Sequence, residues 1–412
     1  MKATILGGGF AGTTVAHLLA KDGWDVRLIE KEPHLGGGCR THFYGGHPFT
    51  YGPRLYYGYS DKVFKWVDSF IKIRRFPFEL LTYVEDEARF FSYPIHQDDI
   101  PHMKNATAIW REIREADKTK EPVDFEDYWI KRVGRTLYDM FVNGYSKKMW
   151  MIDDNRIFDI FKWSAKDEPI ANGTKEAYKG SYIGYPVNLH GYNPYFDKMT
   201  EGVEVIHGTY RHGDDTQSDV VVSTIPVDEF CGYALGELPY VGRDFSVFIL
   251  PAKQVFPGDV RFCHYAGGEP HTRITEFKKI TYYDSPDSLF VLETPSKNNK
   301  LYPYLTKANM ALTARYLGGL PENVHSIGRL GTYKYSTIEQ TIVQAFECYA
   351  KITGKANPME GEFFGIGDTS MMKGRADESG VKKATWPFAP PTEHNQTTRE
   401  KLMDATKGKL AA

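Results

Sequence analysis

The chain has 412 residues, of which 41% are hydrophobic and 25% are charged, with a formal net charge of −2. Its length predicts two or three domains, and the near-neutral charge balance argues against a nucleic-acid or membrane-surface partner. Aromatic residues make up 14% of the chain and include 27 tyrosines, whose flat faces and hydroxyl groups suit sugar rings and nucleobases.

The patterns of cysteine and histidine residues argue against a disulfide scaffold and against a metal-binding protein. Cys39, Cys231, Cys263 and Cys348 form no CxxC pair, which is typical of a reducing compartment and disfavours a disulfide scaffold or a structural zinc site. The 13 histidines show no metal-ligand spacing, and we expect no metal site. No apolar run is long enough to span a membrane, so we predict a cytoplasmic location.

The N-terminal segment has the pattern of a dinucleotide-binding unit. A short apolar strand, KATIL, is followed by Gly7, Gly9 and Gly12 in G-x-G-x-x-G spacing and then by a helical pattern. A second strand, WDVRLIE, ends on Glu30, close to the spacing at which an acid binds a ribose hydroxyl. The first glycine permits a tight turn, the second lets the backbone approach a pyrophosphate, and the third lets helix pack on strand.

A second pair of glycines favours FAD over NAD as the dinucleotide. The stretch HLGGGCRT places Gly36 and Gly37 shortly after Glu30, where the backbone can approach the same ligand again. This pattern resembles FAD proteins of the glutathione-reductase and amine-oxidase type. We therefore predict FAD as the cofactor, with Lys31 beside Glu30 in its site.

The chain as a whole predicts an α/β fold: a Rossmann-like FAD-binding domain with a helical insertion and an antiparallel substrate-domain sheet. We assign residues 1–65, 196–235 and 311–354 to the FAD-binding domain, 66–165 to a helical domain, 166–195 and 236–310 to a mobile segment plus the substrate sheet, and 355–412 to a C-terminal extension.

A capped helix is predicted near the end of the FAD-binding domain. Ser336 with Glu339, or Thr337 with Gln340, forms a capping box, and Gly354 ends the helix. The positive end of such a helix would stabilise negative charge on a bound ligand, such as a reduced flavin. An ordinary capped helix explains the pattern equally well.

Three separated motifs resemble one family, the UDP-galactopyranose mutases, which are FAD enzymes that interconvert pyranose and furanose forms of a nucleotide sugar without net redox. FVNGYSKKMW (141–150) is similar to the family's Phe-x-x-Gly-Tyr-x-x-Lys-x-Trp segment, and HTRITEFK (271–278) to its Tyr-Thr-Arg-x-x-Glu-x-Lys. GRLGTYKYSTIEQ (328–340) is similar to its Gly-Arg-Leu-x-x-Tyr-Lys-Tyr ending. Order and approximate spacing match from residue 1 to about 354.

The resemblance implies roles for the matching residues. The implied sites are a diphosphate-binding and catalytic set (Arg273, Tyr302, Tyr335), a flavin set (Arg329, Ile338) and a set of aromatics that hold the uridine end (Tyr145, Trp150, Tyr182). In this family the N5 atom of reduced FAD attacks the anomeric carbon, and the nucleoside diphosphate leaves before the sugar ring opens and recloses. The resemblance thus implies an isomerase that needs reduced FAD and acts on a UDP-galactose-like sugar, with a homo-oligomer left open.

The sequence departs from the family beside the flavin and at the phosphates. In YGPRLYYG (51–58), Arg54 and Tyr57 replace two family histidines. We add Arg54 to the catalytic candidates and Tyr57 to the substrate-binding ones. The Arg54 guanidinium either serves an N-acetyl carbonyl, a carboxylate or the diphosphate, or forms a structural ion pair.

The family's second diphosphate arginine also has no counterpart, because no arginine lies between Arg156 and Arg211. Lys162, Lys166 and Lys175 are the nearby cations, and a lysine does not reproduce the planar fork of an arginine. The pattern predicts a retained cofactor with an altered sugar pocket.

Two other functions stay open at this point. A redox flavoprotein that oxidises a sugar or an amine would use the same scaffold and would turn over with an electron acceptor. A non-catalytic nucleotide-binding protein is favoured by the loss of the histidines and disfavoured by the retention of Arg273, Tyr302 and Tyr335.

Overall fold

The structure is a computed structural model that describes residues 1–116, 119–160, 170–211 and 217–362. Its strands are β1 (Lys2–Leu6), β2 (Asp25–Glu30), β3 (His42–Tyr44), β4 (His47–Phe49), β5 (Tyr56–Gly58), β6 (Ile73–Arg75), β7 (Glu79–Val84), β8 (Arg89–Tyr93), β9 (Tyr182–Pro186), β10 (Glu204–His207), β11 (Val220–Ser223), β12 (Tyr240–Leu250), β13 (Val260–Tyr265), β14 (Arg273–Glu276), β15 (Ser288–Ser296), β16 (Tyr302–Pro303) and β17 (Val324–Ser326).

The helices alternate with these strands at both ends of the chain and cluster in its middle. They are α1 (Phe10–Lys21), α2 (Asp61–Phe70), α3 (Ala106–Glu115), α4 (Phe125–Val133), α5 (Arg135–Tyr138), α6 (Gly144–Trp150), α7 (Asn193–Met199), α8 (Val227–Phe230), α9 (Lys278–Thr281), α10 (Lys307–Gly318), α11 (Gly328–Gly331) and α12 (Ile338–Thr353).

A five-stranded parallel sheet in the order β10-β2-β1-β11-β17 forms the nucleotide-binding half. All its strands fall within the three segments assigned to the FAD-binding domain. Strand β11 reads VVVS and is buried along its whole length, as expected for a parallel sheet that is covered on both faces. Helices α1 and α12 pack against each other. The glycine turn after β1 and the acid that ends β2 share the carboxyl edge of the sheet, which is where such folds bind ligands.

A seven-stranded sheet in the order β16-β12-β15-β14-β13-β7-β8 forms the other half. The predicted antiparallel sheet is confirmed, with one exception: β7 pairs with β13 in parallel. Strands β7 and β8 come from the segment that we predicted to be helical.

The prediction of a helical domain over residues 66–165 is therefore wrong in its first part. Strands β6, β7 and β8 occupy that part, and the helices α3 to α6 lie between Ala106 and Trp150. The charge pattern of the later helices dominated the reading of the whole segment. The six residues of β7, ELLTYV, alternate strictly between half-buried and buried positions, which is the period of a strand.

The segment predicted to be mobile makes backbone contacts at two places, and its mobility stays a prediction. Strand β9 forms a small antiparallel sheet with β5 and β6, and the Ala171 backbone bridges to His96. Residues 166–169 lie outside the described residues, as do residues 363–412 of the C-terminal extension. Among the residues that are described, no helix is long and apolar enough to cross a membrane.

Helix α12 begins with the second of the two predicted capping boxes. The Thr337 hydroxyl oxygen accepts from the Gln340 N–H at 3.2 Å, and the Gln340 side-chain oxygen accepts from the Thr337 N–H at 2.9 Å. The helix ends at Gly354, whose φ of +69° is the left-handed conformation expected of a terminating glycine. Glu339 instead accepts from the Tyr59 and Ser60 N–H groups, at 2.9 Å each.

We expect Thr337→Ala to lower the free energy of unfolding by about 1 kcal/mol, because the Gln340 N–H in the first helical turn loses its hydroxyl acceptor. Thr337→Asp retains an N-cap acceptor and is the matched control. Urea denaturation of both variants, followed by circular dichroism, measures the difference. Equal losses in the two variants would contradict the capping role.

Candidate active site

The first glycine turn combines two glycines that the protein's own packing requires with one that faces open space. Gly7 has a φ of +95°, and a Cβ at Gly12 would lie 2.0 Å from the Gly7 carbonyl oxygen. A Cβ at Gly9 would meet nothing within 4 Å. Open space above Gly9, at the start of α1, is what the close approach of a pyrophosphate needs.

The second glycine turn is hydrogen-bonded to the first. The Gly36 N–H donates to the Gly8 carbonyl oxygen at 2.8 Å, and a Cβ at Gly37 would lie 3.7 Å from Gly9 Cα. Both Gly36 and Gly37 have positive φ, at +116° and +51°. The two turns therefore form one continuous glycine cradle, defined here as residues 7–12 and 36–38.

The acid at the end of β2 belongs to this cradle. Glu30 is 7% exposed, and its carboxylate accepts from the Gly8 N–H at 2.7 Å and from the Glu32 N–H at 2.9 Å. It thus lies at the sheet edge where the sequence predicts a ribose-binding acid, and that role stays a prediction. Lys31 lies next to it and is exposed.

Four arginines from distant parts of the chain surround one tyrosine next to the cradle. Tyr302 is 7% exposed, with the guanidinium carbon of Arg243 lying 4.9 Å and that of Arg329 lying 5.4 Å from its ring centre. Arg54 lies against the cradle, since a Cβ at Gly38 would lie 3.6 Å from its Nη2, and its charge also acts on Tyr302. We call these arginines (Arg54, Arg243, Arg273, Arg329) the arginine cluster.

Only one member of the cluster is neutralised by a carboxylate. Arg273 donates through Nε and Nη2 to the two carboxylate oxygens of Glu293, at 2.7 and 2.6 Å, and Glu293 is 1% exposed. These two residues lie directly opposite each other on β14 and β15.

The other three guanidinium groups donate to backbone carbonyl oxygens instead. Their acceptors are the carbonyls of Tyr51, Gly242 and Ser336 for Arg54, Arg243 and Arg329 respectively. Within the part of the chain that the structure describes, none of the three has a carboxylate at ion-pair distance. A partly buried excess of three positive charges is unfavourable by itself, so the arrangement favours an anionic ligand.

The cluster changes the acidity of the tyrosine at its centre. Burial raises the pKa of Tyr302, but the positive charges of Arg54, Arg243, Arg273 and Arg329 outweigh that effect and lower the pKa to about 8. A phenol with this pKa both donates to and exchanges protons with a bound anion near neutral pH.

Most of the predicted aromatics line this cluster. The Tyr335 ring stacks 6.2 Å from that of Tyr302, with Arg329 lying 4.8 Å from the Tyr335 ring centre. Trp150 meets Tyr302 edge-on at 6.3 Å. Burial raises the pKa of Tyr145 to about 12, and the charges of Arg273 and Arg243 act against that rise.

The structure does not bring Tyr182 to the cluster. Its hydroxyl donates to Asp61 at 3.0 Å, and its ring stacks on Phe64 at 4.6 Å, on the outside of the small sheet. Tyr178 lies at the site instead, with its ring 4.5 Å from that of Tyr57. Tyr178 has a left-handed φ of +59°, and nothing in this tyrosine-rich stretch distinguishes the two residues by sequence.

Two charged residues of the site were missed by the sequence reasoning. Arg243 and Glu293 lie on neighbouring strands of the larger sheet, and their proximity to Tyr302 and Arg273 depends on strand register. The candidate replacement Lys175 is engaged elsewhere, because its ammonium pairs with Asp99 at 2.6 Å. Lys162 and Lys166 lie outside the described residues.

Comparisons with known proteins find similar sequences over most of the chain. The family model described as UDP-galactopyranose mutase matches residues 140–335, and an NAD(P)-binding Rossmann-like domain matches residues 5–70. A dTDP-fucopyranose mutase from Escherichia coli is 26% identical, with 84% of this chain and 97% of that protein covered. A protein named probable UDP-galactopyranose mutase from Klebsiella pneumoniae is also 26% identical, with 83% and 92% covered.

Solved structures share the fold over most of the chain. A reduced UDP-galactopyranose mutase superimposes with a TM-score of 0.71 at 15% identity, covering 86% of this chain and 94% of that one. An oxidoreductase from Methanosarcina mazei superimposes with a TM-score of 0.54 at 14% identity, covering 84% and 99%.

The parallel sheet and the glycine cradle define an α/β protein with a Rossmann-like dinucleotide-binding domain. The relatives, which are named as mutases, indicate an enzyme of the isomerase class. Within that class, the chain is similar to the UDP-galactopyranose mutases, whose family model matches residues 140–335.

Substitutions at Gly12 and at Gly9 should have different effects, one on folding and the other on dinucleotide binding. We expect Gly12→Ala to lose the fold of the nucleotide-binding half, because the new methyl group would overlap the Gly7 carbonyl oxygen. We expect Gly9→Ala to fold normally and to lose most of its dinucleotide affinity, because its methyl group enters the open space. Thermal unfolding and flavin content of the purified variants separate the two effects. A flavin-replete Gly9→Ala variant would contradict the cradle.

We expect one tyrosine to ionise with a pKa of about 8 and Tyr302→Phe to abolish that transition. The folded-state pKa lies below the usual value of about 10, so the phenolate adds stability that is fully present above about pH 10 and is lost as the pH falls through 8. The difference in phenolate absorbance between wild type and variant during a pH titration measures the effect. Absence of any tyrosine ionisation below about pH 9 would exclude the interaction.

Proposed function

We propose that the protein is a flavin-dependent mutase that interconverts the pyranose and furanose forms of a nucleoside-diphosphate sugar. One observation carries the proposal: three uncompensated arginine charges lie beside a glycine cradle built for a dinucleotide. The diphosphate of a nucleotide sugar carries two negative charges, and one more develops as it departs from the anomeric carbon, which such a cluster is suited to stabilise.

The residues of the cradle fit FAD. The open space above Gly9 and the helix α1 that starts there would hold the pyrophosphate, and Glu30 lies where a ribose would be bound. When bound in its reduced form, FAD would supply a nucleophile for the anomeric carbon of the sugar. Arg54 and Arg329 lie on the cradle side and would orient the flavin ring.

The chain's own residues would hold the leaving group. Glu293 fixes the orientation of Arg273 through two hydrogen bonds, so this guanidinium is in place before the substrate arrives. The Tyr302 hydroxyl would donate to a phosphate oxygen and would lose its proton only above about pH 8. Preorganised donors of this kind stabilise charge without the cost of reorienting them during the reaction.

An aromatic wall borders the cluster. The Tyr178 ring lies between that of Tyr57, at 4.5 Å, and that of Phe78, at 5.8 Å. Such a wall limits the access of water to the reacting carbon. The diphosphate can then recombine with the sugar before water attacks the anomeric carbon.

The relatives indicate the class of substrate. One is named for dTDP-fucopyranose and another for UDP-galactopyranose. Both names denote a pyrimidine nucleoside diphosphate joined to a hexose. We propose a substrate of that class, UDP-galactose-like or carrying a modified sugar, with the base beside Tyr145 and Trp150.

The function is tested by incubating the dithionite-reduced holoenzyme with UDP-galactose, dTDP-fucose and related nucleotide sugars, with chromatography of the products. We expect furanose formation only with reduced enzyme and no net consumption of reductant. Turnover that consumes an electron acceptor, without any furanose product, would replace the mutase by an FAD-dependent oxidoreductase.

A variant connects this assay to the site. Arg273→Lys keeps the charge next to Glu293 but loses the planar fork, and we expect its rate to fall by on the order of 100-fold. An unchanged rate would exclude Arg273 from the reaction.

A further inference from the structure

We infer that Arg243 is the second diphosphate-binding arginine of the site, in place of the arginine that the chain lacks between residues 157 and 210. The inference rests on the proposed function and assigns a substrate-binding role to a strand residue in β12.

The backbone around Arg243 is held in place independently of its side chain. The Arg243 N–H donates to the Asn299 side-chain oxygen at 3.1 Å, and the Arg243 carbonyl accepts from the Asn299 amide at 2.8 Å. The strand continues through an antiparallel pairing with β15, in which Arg243 lies opposite Pro295. The side chain thus projects from a rigid element, as a positioned ligand-binding group requires.

The guanidinium of Arg243 is buried with most of its donors unused. The residue is 3% exposed, its guanidinium carbon lies 4.9 Å from the Tyr302 ring centre, and Nη1 donates to the Gly242 carbonyl. Among the described residues, Nε and Nη2 have no acceptor. An arginine carries five N–H donors, so a phosphate group can still be bound by two parallel hydrogen bonds.

The charge balance near Tyr145 requires this second arginine. Arg273 is paired with Glu293, so the pair contributes no net charge to the nucleotide side of the site. Arg243 supplies the positive charge that the pair does not. Without it, the dianionic diphosphate would meet a neutral ion pair on that side.

Two groups near the arginine cluster, Tyr145 and Cys39, are each affected by a different pair of its arginines. Burial raises the pKa of Tyr145, and the charges that oppose this rise come from Arg273 and Arg243. Burial likewise raises the pKa of Cys39, the residue that follows the glycine cradle, and there the opposing charges come from Arg54 and Arg329. Arg243 and Arg273 thus act on the tyrosine that the proposed function places beside the base, whereas Arg54 lies against the cradle, its Nη2 3.6 Å from a Cβ at Gly38.

The test compares nucleoside diphosphates with nucleosides. Oxidised holoenzyme is titrated calorimetrically with UDP, dTDP, uridine and thymidine, in wild type and in Arg243→Gln. We expect the diphosphates to bind about 10- to 100-fold more weakly to the variant, which is the range for one charge-assisted hydrogen-bonding group, with nucleoside affinity unchanged. Arg243→Lys should recover part of the loss, because it restores the charge without the fork.

Arg132→Gln is the matched control. Arg132 lies in α4 and stacks on Tyr128 with its guanidinium carbon 4.2 Å from the ring centre, so this variant also loses an arginine–tyrosine contact. We expect it to bind all four probes like wild type. Flavin content and the midpoint of thermal unfolding are recorded for each variant.

The outcomes separate this inference from the proposed function. Wild type that binds UDP and dTDP no better than the nucleosides would overturn the proposed function, and the inference with it. Wild type that prefers the diphosphates, combined with an Arg243→Gln variant that keeps the full preference, would overturn the inference alone. Equal losses for diphosphates and nucleosides would assign Arg243 a structural role and would also overturn it. If Arg243→Gln does not retain flavin, the same comparison is decided with Arg243→Lys.

Discussion

The site depends on one electrostatic constraint, which is that four guanidinium groups share a partly buried space with a single carboxylate. The chain tolerates this by surrounding the charges with backbone carbonyls and tyrosine faces rather than with acids. Acidic partners would have stabilised the empty protein and weakened its hold on an anion. The arrangement therefore lowers the stability of the unliganded protein and raises its affinity for an anion, as in other electrostatically preorganised sites.

The constraint also explains why both halves of the fold are needed. Arg329 comes from the helix after the last strand of the parallel sheet, whereas Arg243 and Arg273 come from strands of the larger sheet. Arg54 lies on the connection that leads from the glycine cradle toward the small sheet. No single segment carries enough charge to bind a diphosphate, and the site exists only where the two sheets meet.

Local patterns in the sequence predicted the parts of the site whose members are neighbours in the chain. The glycine turn, the acid ending β2 and the Thr337 capping box are of this kind, because their geometry is fixed by spacing alone. Arg243, Glu293 and Tyr178 were missed because two of them depend on strand register and the third on one left-handed residue. Strand β7 was misread since its pairing with β13, far away in the chain, fixes its conformation, and β8 then pairs with β7.

The pairing of Arg273 with Glu293 makes the site sensitive to the register of strand β14. Strand β14 has only four residues and lies between β13 and β15, so a slip by one residue would turn Arg273 to the opposite face of the sheet. Glu293 would then be a buried acid without a base, and the proposed diphosphate site would lose a donor. A chain with the wrong register would thus retain much of its secondary structure but have no functional site, which makes catalytic competence a direct report on whether the central sheet has been assembled correctly.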